Sequence, residues 1–253
     1  MNSIVIIPAR MNSSRLPGKP MIKLHNLPMI AHCYYRSVLA IGKKNTYVAT
    51  CDSVIHNYIN KIGGNSIKTS KKHKRATSRT LEAFQKIKKK RHNIKYIIML
   101  QGDEPLVNPN DIKNINKEMR LSDNQIINLL SKFSNKQDFL NNNNIKAIVN
   151  LKKEILYMSR EPIPFLKDKW IQKNRYQQTG IIAFTVEQLT KFENYDSSYL
   201  ETFESIDMNR LLDNGVKIKG IISQSFLLGV DNKNDLMKAK KILSTDKIMH
   251  KYL

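Results

Sequence analysis

Two short runs of this chain, residues 4–8 and Tyr96–Leu100, are apolar almost from end to end, and a third, Thr46–Thr50, is apolar through its middle. A strand with one wet face alternates apolar and polar residues. A strand covered on both faces has no polar side, so an unbroken apolar run of this length marks the interior of a parallel sheet. Helical patterns separate these runs, at Met29–Ile41, 54–62, 78–90 and 111–119, the last opened by Asn108-Pro109-Asn110-Asp111. Gly63-Gly64 punctuates before a short strand at 66–69. This βαβα order predicts an α/β fold with a mostly parallel sheet flanked by helices. Ligands of such sheets bind beyond the carboxyl ends of the strands, so the segments after Ile7, Thr50 and Leu100 are where chemistry is expected.

The second half is less regular. Residues 141–144 read as a polar loop, 147–150, 155–158, 180–185 and 218–222 as strands, and 186–192 and 234–242 as helices. Residues 203–214 read as one amphipathic helix closed by Gly215. No internal repeat or linker divides the chain, so 1–253 is expected to be one domain. With 41% hydrophobic and 25% charged residues the composition excludes a disordered chain. No apolar run approaches the roughly 20 residues that span a bilayer, and the first residues read as a strand, not a signal peptide. Two cysteines, Cys33 and Cys51, make neither a disulfide framework nor a zinc site; a cytoplasmic protein is expected.

The net charge of +22 raises the question of nucleic acid. The basic residues are mostly dispersed, however, and Lys, Asn and Ile share A/T-rich codons. Biased codons with an anionic small-molecule substrate account for the charge without a nucleic-acid surface.

Four segments carry the chemistry. Residues 8–20, Pro8-Ala9-Arg10-Met11-Asn12-Ser13-Ser14-Arg15-Leu16-Pro17-Gly18-Lys19-Pro20, place three cations in one loop at a strand end. Backbone N–H groups and cations there suit a polyphosphate, although the pattern is neither a P-loop nor a dinucleotide fingerprint. Leu100-Gln101-Gly102-Asp103-Glu104 ends a buried strand in two carboxylates. A hard cation such as Mg²⁺ takes one or two carboxylates plus substrate phosphates, so Asp103 is the expected metal ligand, with Asp231 of Gly229-Val230-Asp231 a candidate second. Arg160, before the Pro162–Pro164 turn, suits a carboxylate held by a bidentate pair or an ion pair with Glu161. The chain has no CxxC, no HExxH and no GxSxG.

Along nearly its whole length the chain resembles the 3-deoxy-manno-octulosonate cytidylyltransferases, also called CMP-Kdo synthetases. The likeness rests on IPARMNSSRLPGKPM (7–21), Val48-Ala49-Thr50-Cys51-Asp52, QGDEPL (101–106), Asn143-Asn144-Ile145-Lys146, Tyr157-Met158-Ser159-Arg160-Glu161-Pro162-Ile163-Pro164 and Gly229-Val230-Asp231. The resemblance implies a nucleotidyltransferase fold of the glycosyltransferase-A-like kind and a homodimer, with residues roughly 145–205 supplying sugar-side and dimerisation elements. It implies transfer of CMP from CTP to a 2-keto-3-deoxy sugar acid with Mg²⁺ as cofactor, in lipopolysaccharide biosynthesis. Lys19, Arg10 and Asp103 would be catalytic. Pro8, Ala9, Arg10, Arg15, Lys19, Thr77, Arg79 and Gln101 would bind the nucleotide. Gln101, Arg160, Gln178, Glu204 and Asp207 would bind the sugar acid, and Asp103 and Asp231 the metal. Neither nucleic-acid binding nor membrane insertion is expected.

The departures from the family pattern gather on the nucleotide and sugar walls. Ala76 and Ser78 stand where the family has Gly and Asp, Gln178 where it has His, Phe184 where it has Tyr, and Asp207-Met208 where it has Glu-Gln. Kdo is the first expected substrate. An 8-amino relative or a nonulosonate, a catalytically impaired homologue with a binding role, and a basic nucleic-acid-binding protein on an enzyme scaffold are the alternatives.

Overall fold

The computed structural model describes residues 2–13, 15–166 and 170–253; Ser14 of the basic loop lies outside them. In chain order the elements are β1 (Ser3–Ala9), β2 (Lys23–Leu24), β3 (Leu27–Pro28), α1 (Met29–Ile41), β4 (Thr46–Thr50), α2 (Ser53–Lys61), β5 (Asn65–Lys68) and α3 (Ala76–Lys88). Then come β6 (Tyr96–Leu100), α4 (Pro109–Leu121), β7 (Ile126–Lys132), α5 (Lys136–Leu140), β8 (Lys146–Val149), β9 (Ile155–Ser159) and β10 (Tyr176–Thr185). The chain ends with α6 (Val186–Lys191), α7 (Tyr199–Glu204), α8 (Met208–Asp213), β11 (Lys219–Ile222) and α9 (Lys233–Leu243).

The main sheet runs β11-β7-β10-β6-β1-β4-β5. All neighbours along it are parallel except β10, which is antiparallel to both β6 and β7. The reason for the apolar runs is visible in β1: Ile4 and Ile6 enter one core with α3 residues Leu81, Ala83 and Phe84, while Val5 and Ile7 enter another with α1 and α2 residues Ile30, Cys33 and Ile55. A third, smaller core joins Leu16, Leu24 and Met29 to Val230, Ala239 and Leu243 of the α9 region. It brings the C-terminal Asp231 segment up against the basic loop.

Two expectations need correcting. The helix expected over 203–214 is two helices, α7 and α8, separated at Ser205, whose φ is 53°. The break lets the Glu204 carboxylate and the Asp207 carboxylate face different partners, as described below. The strand β7 falls in a stretch where none was expected. Its buried Asn128 interrupts the apolar pattern, yet Nδ2 donates to the carbonyls of Leu129, Thr179 and Ile181 at 3.0–3.2 Å. The last two lie within the irregular stretch of β10 between Gln178 and Ile182, where Asn128 supplies their carbonyls with a donor. Beyond this point β10 outruns β6 and carries the β8–β9 pair.

Candidate active site

The carboxyl ends of β1 and β6 open into a cleft of about 390 Å³. The basic loop leaves β1 and is folded back on itself: Gly18, at φ 70°, donates its N–H to the Met11 carbonyl, and the Met11 N–H donates to Asp52 Oδ2 at 2.9 Å. Only a residue without Cβ adopts that φ without strain. The turn delivers Lys19 to the cleft floor. Its Nζ lies 2.7 Å from Asp103 Oδ2, 3.0 Å from Asp231 Oδ1 and 2.9 Å from the Val230 carbonyl. Burial pulls the Lys19 ammonium down, but the two facing carboxylates outweigh it and hold its pKa above the ordinary lysine value. Arg15 pairs with Asp231 at 2.9 Å and donates to Asn143 Oδ1.

Behind Asp103, Glu104 is buried and accepts from the Gly180 N–H at 2.7 Å. Burial first, and the Asp103 charge second, push its pKa up to about 7. The Val230 N–H donates to the Asp103 carbonyl at 2.9 Å, joining the two carboxylate segments. Gln101 is tied to β10 through its N–H on the Gly180 carbonyl.

On the α3 side, Arg79 is 3% exposed and holds Thr69 Oγ1 at 2.6 Å, with the Ser70 and His73 carbonyls. It thus shapes the 69–73 loop at the edge of the cleft. Thr77 is buried and donates to Asp207 Oδ2 at 2.6 Å. On the opposite side Arg160 faces the cleft. Glu204 stands behind it, accepting from Arg160 N at 2.7 Å, Ser159 Oγ at 2.5 Å and Tyr157 OH at 3.0 Å, while the Glu204 carbonyl accepts from Arg160 Nε at 2.8 Å.

The structure therefore gathers Pro8, Ala9, Arg10, Arg15, Lys19, Arg79, Gln101, Asp103, Arg160, Gln178, Asp207 and Asp231 around one cleft. Thr77 and Glu204 are outside the lining and reach it through Asp207 and Arg160. The alternative reading of Arg160, an ion pair with Glu161, gives way to its contacts with Glu204. Of the departing residues, Ala76 lines the cleft, whereas Met208 is fully buried in the core. Sequence reasoning gave no cleft role to Arg75 or Asn143. Arg75 spans to α7, donating to Glu201 Oε1 at 3.1 Å and Ser205 Oγ at 3.1 Å. Its sequence signal is its place at the end of the basic run Lys71-Lys72-His73-Lys74-Arg75, and that of Asn143 its place in the Asn143–Lys146 stretch of the resemblance; neither names a contact.

A family model described as cytidylyltransferase matches residues 4–218. The chain is 37% identical to a 3-deoxy-manno-octulosonate cytidylyltransferase of Thermodesulfovibrio yellowstonii, covering 97% of this chain and 99% of that one. It is 34% identical to an 8-amino-3,8-dideoxy-manno-octulosonate cytidylyltransferase of a Shewanella species, covering 96% and 99%. The solved structure of a CMP:2-keto-3-deoxy-manno-octonic acid synthetase complexed with CTP superposes with a TM-score of 0.85 at 30% identity, over 96% of this chain and 99% of that one. A glucose-1-phosphate thymidylyltransferase from Bacillus anthracis, at 16% identity and a TM-score of 0.70, shares the fold. Matched by the family model over most of its length and by relatives over nearly all of it, the chain belongs to the cytidylyltransferase family and is a nucleotidyltransferase.

Proposed function

We propose that this chain transfers CMP from CTP to a 3-deoxy-2-keto sugar acid, with Kdo the first substrate, and releases pyrophosphate. The observation that carries the reading is the Lys19–Asp103–Asp231 cluster facing Arg160 across one cleft. Cations of the basic loop hold the triphosphate, and Arg160 takes the sugar carboxylate in a bidentate pair. So held, the anomeric oxygen is aimed at the α-phosphorus. It gives up its proton to water and forms the new P–O bond as the bond to the β-phosphate oxygen breaks, and pyrophosphate leaves with that electron pair. Lys19 and Arg10 stabilise charge that grows on the phosphoryl oxygens, and no covalent enzyme intermediate is needed.

Among the described residues no cluster of three or more His, Cys, Asp or Glu gathers to hold a metal by itself. The pair Asp103 and Asp231 fits a hard cation that completes its shell with phosphate oxygens and water. Mg²⁺ held there supplies charge neutralisation on the phosphate chain.

A second reading is favoured by Gln178. Its Oε1 is buried without a partner at the cleft wall, and an acceptor there suits a substrate amine, as in the 8-amino sugar. Pyrophosphate release with CTP, Mg²⁺ and a panel of Kdo, 8-amino-Kdo and a nonulosonate separates the readings. Turnover with one sugar, lost in D103A, supports the function and names the substrate. Silence across the panel with CTP binding retained redirects the reading to another sugar acid, and absence of CTP binding rejects it.

The reading treats the chain as one catalytic domain working in the cytoplasm, where CTP is at hand. Among the described residues no helix is long and apolar enough to cross a membrane. We assign a second protomer to the exposed apolar pair on α7, Tyr199 and Phe203, which are 69% and 77% exposed with ring centroids 4.7 Å apart. Sedimentation of the protein as a dimer, and of F203E as a monomer, is the expected outcome.

A further inference from the structure

Behind the sugar side of the cleft stands a fully buried ammonium. Lys146 is 0% exposed. It opens β8, in register with Ser159 of β9 and Gln177 of β10. Its Nζ donates to the Arg160 carbonyl at 2.6 Å and to the Asn141 carbonyl at 2.9 Å. The Phe139 ring lies over it, centroid 5.9 Å from Nζ. Both oxygens bonded to the ammonium are backbone carbonyls, not carboxylates. Burying a cation on such terms costs stability, and a neutral side chain of the same length would fill the space at lower cost.

Both carbonyls belong to segments that build the sugar side. Arg160 is the cleft arginine. Asn141 opens the loop whose Asn143 receives Arg15 and whose Asn142 carbonyl accepts from Arg160 Nη1 at 3.2 Å. That loop thus lies between the two arginines that would hold the two substrates, and Lys146 fixes it to the Arg160 backbone. Arg160 is braced twice, by Glu204 on one flank and by Lys146 on the other. Removal of the Lys146 brace frees the Arg160 backbone and its guanidinium, while Arg15 keeps its pair with Asp231, and Lys19, Asp103 and Asp231 keep their contacts.

We propose that Lys146 is a positioning residue for the sugar-acid carboxylate, an assignment that rests on the function proposed above. The ammonium pins the Arg160 backbone to the 141–144 loop, and its charge adds to that of Arg160 beside the bound anion. A brace of purely structural value would weaken both substrates and the fold alike. A positioning cation affects the sugar acid alone.

Burial pushes the Lys146 pKa down to about 8, against the opposing charge of Glu161. The protonated form is therefore lost within an accessible range; the charged groups that face it are Arg160, Glu161 and Glu204.

The test is steady-state kinetics of the full-length protein with CTP, Mg²⁺ and the sugar acid that the panel identifies. In K146M the KM for the sugar acid is expected to rise about tenfold, with kcat and the KM for CTP within about twofold. In the wild type the sugar-acid KM is expected to climb between about pH 7 and about pH 9.5 while the CTP KM stays level. An unchanged sugar-acid KM in K146M, or parallel rises of both KM values, overturns the proposal. Should K146M fail to fold, the wild-type pH profile decides, and a level sugar-acid KM overturns the proposal by itself. Wild-type turnover with an unaffected K146M rejects this role and leaves the function standing; wild-type silence across the panel together with absent CTP binding rejects both.

Discussion

Lys19 sits between two carboxylates that would otherwise repel each other, and this sets what its loss does. Replacing it with Met removes the cation that the proposed mechanism sets against the reacting phosphate and leaves Asp103 and Asp231 facing each other. The expected outcome for K19M is a fall in kcat of about a hundred- to a thousandfold in a pyrophosphate-release assay, with an unchanged circular dichroism spectrum. Gly180 makes a different kind of claim. A Cβ built there would lie 2.7 Å from Gln101 Cβ and 2.9 Å from its Cγ. G180A must therefore displace Gln101 from the cleft wall or part β10 from β6, and urea titration should show about 1–3 kcal/mol of lost stability. The residues at strand ends, Lys19, Gln101 and Asp103, are legible in the sequence because the parallel sheet dictates where to look. Arg75 and Asn143 are not, because their roles come from segments that only the folded chain brings opposite them.

Between α7 and α8 the chain turns through Ser205, and the elbow does two jobs at once. Glu204 turns toward Arg160 and its neighbours, while Asp207 turns back to Thr77 at the first turn of α3. Glu201, 1% exposed, anchors the elbow by accepting from Arg210 at 2.7 and 3.0 Å and from Arg75 at 3.1 Å. Burial alone would raise its carboxyl, but the hydrogen bonds from Arg210 and Ser197 and the charges of both arginines hold it below the usual range. E201A strands two partly buried guanidinium groups and is expected to cost about 3 kcal/mol in chemical denaturation. R75A removes the more exposed cation and is expected to cost under about 1 kcal/mol. Amphipathic periodicity runs through 203–214 without a break, which is why one helix is expected there; the interruption is imposed by tertiary contacts of Glu204 and Asp207 that override local preference. The strands β1, β4 and β6 and the helix α1 were legible to within a residue or two because packing on both faces leaves its pattern in the sequence. For β7 that pattern fails at Asn128, a residue chosen by the irregularity in a strand some fifty positions away.

At the scale of the whole molecule, the far end of the chain is pinned to α1 by a buried network. His32 Nε2 donates to the Leu24 carbonyl at 2.9 Å, and its Nδ1 accepts from Tyr252 OH at 2.8 Å. Arg36 donates to Tyr252 OH and to the Val107 carbonyl and pairs with Asp246. Burial drives the His32 pKa down to about 4. The unfolded chain thus binds a proton near pH 6.5 that the folded chain refuses, so stability falls as pH drops from about 6.5 to about 4. The expected loss is on the order of 3 kcal/mol at the lower limit, read as a falling urea midpoint, with a shallower pH slope in H32Q. The placement of β10 has a consequence for how the protein is made. Its partners β6 and β7 leave the ribosome well before it does, and β6 is left with one open edge until residues 181–185 arrive to pair with it. A nascent chain stalled between residues 100 and 176 carries β6 with one edge unpaired, a template for contacts with its neighbours. Synthesis of the middle third of this chain is the stage at which it depends most on speed or on a chaperone.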